Sequence, residues 1–458
     1  LKRELLDRGE NNAQALELFE HAQRVVLGIP IDPATSSIGE AARMLQKTAL
    51  AAFGATFGLA ATAEAGQAIA MSSVDSMKRM APEIWQVFQD VFSGKMPTGE
   101  FARELQGFVG MAQPKWGRGT NMNREFDHIL ENSQGSVESF LDFVGEKALS
   151  YGGMFAIDTV QRYVTMMGFT DTLVNGVMDG GISPYSEILE KQIGWSSDMV
   201  YRVGKMILVH GKLYDAIGGG KKIGRAHPEL WSDTEAAENF RWGGHKFVMR
   251  TIHTSQKGQY HHKFQGQLGR MFWQFRTFML SAYEGQAVTA VQGMKHGDKR
   301  AAIALVTNSV FAGLSYIATI LVRYGHDEEK MKKYLTKEQI MKGMLFKSGW
   351  FTLGAPITDT VMQLLGEDKV FSYAGTRSGL ASDALMGSPS IAIANALAGT
   401  AKSLIAPVFN PSYQYSKQDW RNIKTLAPLH GLLGWGNALD AVPKMLDLPD
   451  SSTVNSHH

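Results

Sequence analysis

The chain has 458 residues, enough for more than one hydrophobic core, and its 46 Lys+Arg against 44 Asp+Glu leave a formal charge of only +2, which excludes polyelectrolyte behaviour along the whole chain. Cysteine is absent, removing disulfides, thiolate nucleophiles and Cys-based metal sites. A mean hydropathy of −0.14 with 20% charged residues is too polar for a dedicated polytopic membrane protein, yet 48 glycines point to closely packed or interrupted helices. Residue 1 is Leu rather than Met, as expected of a fragment or processed piece, and the terminal His457 and His458 belong to no candidate site.

Helix signals dominate from the N-terminus onward. Ser37-Ile-Gly-Glu40, Ser232-Asp-Thr-Glu235 and Thr336-Lys-Glu-Gln339 fit the capping box, in which a hydroxyl accepts from one orphan N–H and the residue three on reaches back to another. Ser183-Pro184 starts another helix. Ile29-Pro30-Ile31-Asp32-Pro33, Met96-Pro97 and the Gln113 to Thr120 stretch, with Pro114, Gly117 and Gly119, break the first third; Gly218 to Gly224 is a basic glycine loop, and Gly387-Ser-Pro389, Pro407 and Pro411 break the last quarter. No strand alternation and no Asn-Gly or Asp-Gly hairpin is found. The expected fold is all-α: an extended multi-helix assembly of long amphipathic and apolar helices without significant sheet. Its blocks are an N-terminal segment 1–120, a middle segment 121–238, a basic aromatic stretch 239–298, apolar helices 299–408 and a tail 409–458.

Three apolar stretches follow in order. Thr48 to Ala63 is built from Ala and Gly and holds the close-packing pair Gly54-x-x-x-Gly58. Ala301 to Val322 carries no charge and, as a helix, would be about 33 Å long, enough for a hydrocarbon core. Lys299, Arg300 and Arg323 flank it, and Ala301, Leu305, Val306, Val310, Phe311, Leu314, Ile317, Ile320, Leu321 and Val322 are its candidate membrane-active residues. Asn308, Ser309, Thr307 and Ser315 keep three readings open: a spanning helix, a buried helix that inserts under some condition, and a core helix of a soluble bundle. Gly343 to Gly366 is apolar apart from Lys347 and Asp359.

Asn239 to Tyr283 contains no Asp or Glu. Arg241, Lys246, Arg250, Lys257, Lys263, Arg270 and Arg276 lie in it, interleaved with aromatic residues, which suits nucleic acid or another anionic surface. Leu268, Met271, Phe272, Phe275, Phe278, Met279 and Ala282 have helical spacing, so these rings equally suit a packed core. Catalytic signatures are absent: no Gly-Lys pair is followed by Ser or Thr, and neither Gly-x-Ser-x-Gly nor His-Glu-x-x-His occurs. His245, His253, His261 and His262 have no nearby acid to complete a metal shell, and Glu138-Ser139 is a lone dipeptide. No enzyme activity, cofactor or metal is expected of this segment.

Leu268-Gly-Arg-Met-Phe-Trp-Gln-Phe-Arg-Thr-Phe278 resembles the C-terminal region of the large internal virion (ejection) proteins of short-tailed phages, which carry a lytic transglycosylase at their N-terminus. That family has Gly-Lys-Met and Gln-Phe-Lys-Ser-Phe here, matched by Gly269-Arg270-Met271 and by Gln274, Phe275, Arg276 and Phe278. A long apolar helix follows, then a charged turn ending in Glu-Tyr-Leu, similar to Glu329 through Tyr334-Leu335, then Leu353-Gly354-Ala355-Pro356. Lys47–Met71 and the 148–180 stretch are similar to earlier parts of that region, and nothing matches after Pro407. The resemblance implies an oligomeric internal core subunit beside the portal, in the virion interior. On infection it would enter the host periplasm and inner membrane and help form a conduit for double-stranded genome DNA. Its implied partners are other ejection and core proteins, the portal, that DNA, the host inner membrane and further copies of itself. Two alternatives remain: a membrane-associated enzyme or transporter centred on Lys347 and Asp359, and a soluble nucleic-acid-binding helical scaffold.

Overall fold

Side-chain caps and glycine stops divide the chain into helices. In the computed structural model, residues 37–56, 58, 61–72, 74–93, 95, 135–180, 189–217, 219–252, 269, 271, 283–295, 299–325, 327–351, 354–368, 370–371, 389–432 and 435–450 are described, with 19, 20 and 23. The elements are α1 (Ser37–Phe53), α2 (Ala65–Met71), α3 (Val74–Phe92), α4 (Ser136–Tyr151), α5 (Met154–Met178), α6 (Ser197–His210), β1 (Lys212–Asp215), β2 (Lys222–Arg225) and α7 (Thr234–Thr251). They continue as α8 (Thr289–Lys295), α9 (Lys299–Tyr324), α10 (Glu328–Tyr334), α11 (Lys337–Lys347), α12 (Gly354–Leu364), α13 (Pro389–Phe409), α14 (Lys417–Leu426) and α15 (Trp435–Met445). The protein is predominantly all-α, as its capping and periodicity imply.

The caps follow their chemistry in part: Ser37, expected as a cap, stands inside α1 as its first residue. Thr336 caps α11, accepting from the Gln339 amide at 3.3 Å. At α7 the cap is Asp233, not Ser232: its carboxylate accepts from Ala236 N at 3.0 Å and also pairs with Arg202 at 2.7 Å. A carboxylate held between a helix N-terminus and a guanidinium outcompetes the neighbouring hydroxyl. Arg202 holds the Asp233 carboxyl down to about 2. Ser416 and Asp419 make a full capping box at α14 that a search for Glu or Gln at the third position misses.

The basic glycine loop is part of a hairpin. β1 and β2 pair antiparallel, Lys212 opposite Arg225 and Tyr214 opposite Ile223, and Gly219 and Gly220 take φ of 82° and 120° at the turn, a region glycine enters without strain. Four-residue strands give no legible alternation, so the pairing is invisible to periodicity. Asp171 anchors the hairpin: fully buried on α5, it accepts from Gly224 N at 2.8 Å, from Arg79 of α3 at 2.5 Å and from Ser76.

The largest core lies around α5, whose Tyr163, Met166, Met167 and Val174 are fully buried against α3, α6, β2 and α7. A helix buried on nearly every side reads as apolar all round, and α5 does so while still carrying Asp158, Arg162 and Asp171. Among the described residues, Ala68, Val164 and Ile252 make a small cluster beside this core, and two further cores stand apart from it. Tyr316 and Ile320 of α9 pack with Tyr334, Ile340 and Phe346 of α10 and α11. Ala49 and Ala52 of α1 pack with Ile393 of α13 and Leu426 of α14.

One register organises the N-terminal third. Arg43 and Lys47 of α1 bond Glu138 and Asp142 of α4 at 2.8 and 2.7 Å, and Ser76 bonds Asp171, each pair 95 residues apart. Between these points Gly54 abuts Ala148, Gly58 abuts Gly152, Gln161 bonds Ala61 O at 2.7 Å and Ser72 abuts Gly168. The described residues between 43 and 76 therefore run parallel to residues 138–171 at a near-constant offset. The Gly54-x-x-x-Gly58 pair is where they come closest: a Cβ on Gly58 would lie 1.7 Å from Gly152 O.

Candidate functional site

The apolar segment of spanning length forms a single helix, α9, and its two faces differ. Ile303, Val306, Val310, Leu314 and Leu321 are about half exposed or more, at 53, 64, 50, 56 and 48%. With half-buried Ile317 they recur every 3.6 residues on average, so they form one straight apolar ridge along the helix. Away from the ridge, Ala304, Asn308, Ala312 and Ser315 are buried, Gly313 faces Met344 of α11, and Tyr316 and Ile320 enter a small core. In a water-soluble bundle the apolar ridge would face inward, so α9 is inverted relative to a soluble helix.

The ten candidate residues of this helix thus divide. Val306, Val310, Leu314 and Leu321 are on the ridge; Leu305, Phe311, Ile317 and Val322 are half-buried; Ile320 is in the small core. Ala301 lies in the helix, and its side chain is outside the described residues. Burial of Ile320 follows from α10 and α11 folding back against α9 and covering one side of it.

The inward face of α9 meets α2 and the turn Thr62–Glu64 that precedes it. A Cβ on Gly66 would stand 2.6 Å from Thr307 O, so the two backbones nearly touch. Within this contact Asn308 is fully buried with neither side-chain polar atom bonded, and Oε1 of Glu64 and of Gln67 also lacks a partner. Burial pushes the Glu64 carboxyl up to about 8; neighbouring Asp158 adds to the rise and Arg162 opposes it. Orphaned buried polar groups cost about 1–3 kcal/mol each, so this junction holds α9 less firmly than its contact area suggests.

Lys347 and Asp359, the pair expected of a transporter-like centre, are not brought together by their hydrogen bonds. Lys347 Nζ donates to Thr319 Oγ1 at 2.6 Å and to Ser315 O at 3.3 Å on α9, whereas Asp359 accepts from Phe371 N at 2.9 Å. Glu138 is held in the α1–α4 ion pairs.

A second apolar helix of spanning length, α13, is hidden in the sequence because Pro389 and Pro407 read as breaks. Pro389 begins the helix, where its missing N–H does no harm, and Pro407 lies in the last turn. The signal that could have found it is a run from Ser390 to Phe409 whose only charge is Lys402. Leu397, Leu404, Ile405, Val408 and Phe409 are exposed on it. Among the described residues, α9 and α13 are the helices long and apolar enough to cross a membrane.

Of the basic stretch, Arg241, Lys246 and Arg250 are described, on α7. Lys246 and Arg250 are exposed and one turn apart, while Arg241 lies half a circumference from Arg250. Lys246 Nζ also donates to Ile193 O at 2.8 Å. Exposed Trp242 meets His245 edge-on at 5.8 Å. Lys257, Lys263, Arg270, Arg276, Gln274, Phe275 and Phe278 lie outside the described residues, as does Leu353. Gly354 and Ala355 start α12, with Ala355 fully buried and Pro356 in the first turn, where proline is tolerated. His253, His261 and His262 also lie outside the described residues, among which no three His, Asp or Glu side chains gather to hold a metal.

No family model matches this chain, and neither a curated protein nor a solved structure matches it.

Proposed function

We propose that this chain is the conduit-forming segment of a phage ejection protein. In this reading it is an oligomeric internal core subunit, held in the virion near the portal with other core proteins. It enters the host periplasm and inner membrane on infection and helps carry double-stranded genome DNA across them. The observation that carries the membrane half is the inverted α9: an apolar ridge of bilayer length faces outward while Asn308 and Ser315 face inward. α13 offers a second such helix. The loosely satisfied junction at Glu64, Gln67 and Asn308 suits a helix that changes neighbours. The DNA half rests on the acid-free stretch 239–283 and on the family-like motifs around Gln274–Phe278 and Leu353–Pro356.

The test uses the purified chain with liposomes, alone and with its partner proteins, reading dye leakage and ion conductance. Wild type is expected to permeabilise them and Leu314→Arg to lose at least about tenfold of that activity, because a cation at mid-ridge opposes insertion by roughly 2.5–3.5 kcal/mol. Leu314 is exposed, so the variant is expected to keep its helical circular dichroism. Equal leakage from both proteins would remove α9 from the membrane path, and an inert wild type under every condition would end the membrane half. In parallel, replacing Lys257, Lys263, Arg270 and Arg276 with Glu is expected to weaken duplex binding. Its log–log salt dependence should flatten by roughly 0.9 for each phosphate that is no longer neutralised. An unchanged slope would take this stretch out of the DNA path.

A further inference from the structure

The hairpin β1–β2, whose second strand packs on α5, and the end of α6 carry a surface that neither α9 nor the acid-free stretch accounts for. Four bulky apolar side chains point outward within ten residues: Leu208, Val209, Leu213 and Ile217, exposed by 60, 63, 40 and 47%. Lys205, Lys212, Lys221 and Lys222 are exposed among them, while Asp215 is the one acid between residues 203 and 227 and stands opposite Lys222 in the register. The backbone beneath is firmly tied. Ile217 N donates to Glu83 of α3 at 3.1 Å and Gly224 N to Asp171 of α5 at 2.8 Å. The apolar side chains are therefore displayed by an anchored scaffold. Gly219 and Gly220 at the tip carry no side chain, so nothing there keeps the backbone from approaching a surface.

Apolar groups and ammonium groups exposed together on the hairpin and the adjoining helix end match the boundary layer of a bilayer. There, Leu and Ile side chains enter the acyl edge while lysine stems lie along it and their charges reach anionic headgroups. A nucleic-acid duplex would satisfy the lysines and leave Leu208, Leu213 and Ile217 in water. We infer that the α6 end and the β1–β2 hairpin form a peripheral docking surface for an anionic bilayer, distinct from the spanning-length helices. The inference deepens the membrane half of the proposed function: the hairpin binds the headgroup layer, and α9 supplies the apolar ridge.

The absence of cysteine makes a site-specific test clean. Ile217→Cys, labelled with an environment-sensitive fluorophore, is mixed with phosphatidylcholine vesicles with and without phosphatidylglycerol; Asp75→Cys, on the exposed side of α3, is the control. A blue shift is expected at 217 and not at 75, with anionic vesicles only, and it is expected to fade as salt screens the lysines. Replacing Lys212, Lys221 and Lys222 with Ser is expected to weaken vesicle binding by roughly tenfold or more, since each lysine near an anionic surface contributes about a factor of five. The same labelled protein carrying Leu314→Arg separates the two surfaces. A shift that persists there while leakage is lost supports a hairpin contact independent of α9. Leakage by wild type without any shift at 217 overturns the hairpin inference and leaves the α9 reading standing. A shift with a short DNA duplex and none with vesicles also overturns it, assigning the tip to nucleic acid.

Discussion

Glu64 sits where the turn before α2, α5 and α9 meet, and its chemistry makes stability depend on pH. Its carboxyl is pushed to about 8 by burial first and by Asp158 second, against an ordinary value of 4.5, so the folded protein holds this proton through neutrality while the unfolded chain releases it. The sign follows from proton counts. Between pH ~4.5 and ~8 the folded state binds more protons than the unfolded state, so raising the pH through that window destabilises the fold, by an amount on the order of a few kcal/mol. Above that window Glu64 adds no further slope. Glu64→Gln keeps the neutral shape and removes the linkage. Urea unfolding at pH 5, 6.5 and 8 is expected to show wild type losing stability steadily and the variant losing distinctly less; parallel losses would mean that Glu64 does not carry this proton. The Asp158 carboxyl beside it is also raised by burial, against the pull of its ion pair with Arg162. None of this is legible in the sequence, where Glu64 only interrupts an Ala/Gly run. Its burial arises from α9, more than 200 residues away.

At the scale of elements, close approach is legible and its partner is not. Gly54-x-x-x-Gly58 announces a tight helix contact, but the pattern cannot say that the facing backbone is Gly152. Gly58→Ala would place its Cβ against a carbonyl rather than a flexible side chain, so the two parallel stretches must separate. A loss of about 1–3 kcal/mol is expected in chemical denaturation, with amide protection falling on both sides of the contact. A neutral result would show that the two stretches do not pack at this register. The caps are readable to within a residue because they are local: Thr336 caps α11 through its hydroxyl, although Gln339 Oε1 does not reach back to complete the expected box, and at α7 the shift from Ser232 to Asp233 needs Arg202, which is distant in sequence. The hairpin and α13 are hidden for opposite reasons, too short a strand pattern in one and proline at the helix ends in the other. α9 is legible as a helix, but which of its residues face outward depends on α2, α10 and α11.

Over the whole molecule, the apolar interior formed by the described residues is divided rather than shared. The core around α5 and the core of α9 to α11 have separate members, and the α9 contact with α2 is incompletely bonded. The two are expected to lose structure separately. Tyr316→Ala removes a fully buried ring whose hydroxyl bonds Tyr334 O at 2.9 Å, and should cost about 3–5 kcal/mol within residues 299–347. Native-state hydrogen exchange is expected to show faster exchange there and unchanged protection across α5 and α7. Uniform loss across both would show a single cooperative unit. The block order of the sequence conceals this division, because α3 joins the α5 core while α1 packs with α13 and α14.

The offset of 95 residues between α1 and α4 has a consequence for biosynthesis. At about 5–20 residues per second, a ribosome takes roughly 5–20 s to make the stretch between Arg43 and Glu138, and longer before the latter clears the exit tunnel. Throughout that interval Arg43 and Lys47 exist as cations on a helix whose acid partners have not been translated. α1 therefore waits with its Ala-rich face open to water, to chaperones or to a neighbouring nascent copy. During translation the N-terminal third is thus open to mispairing, and slowing elongation between Arg43 and Glu138 would lengthen that exposure.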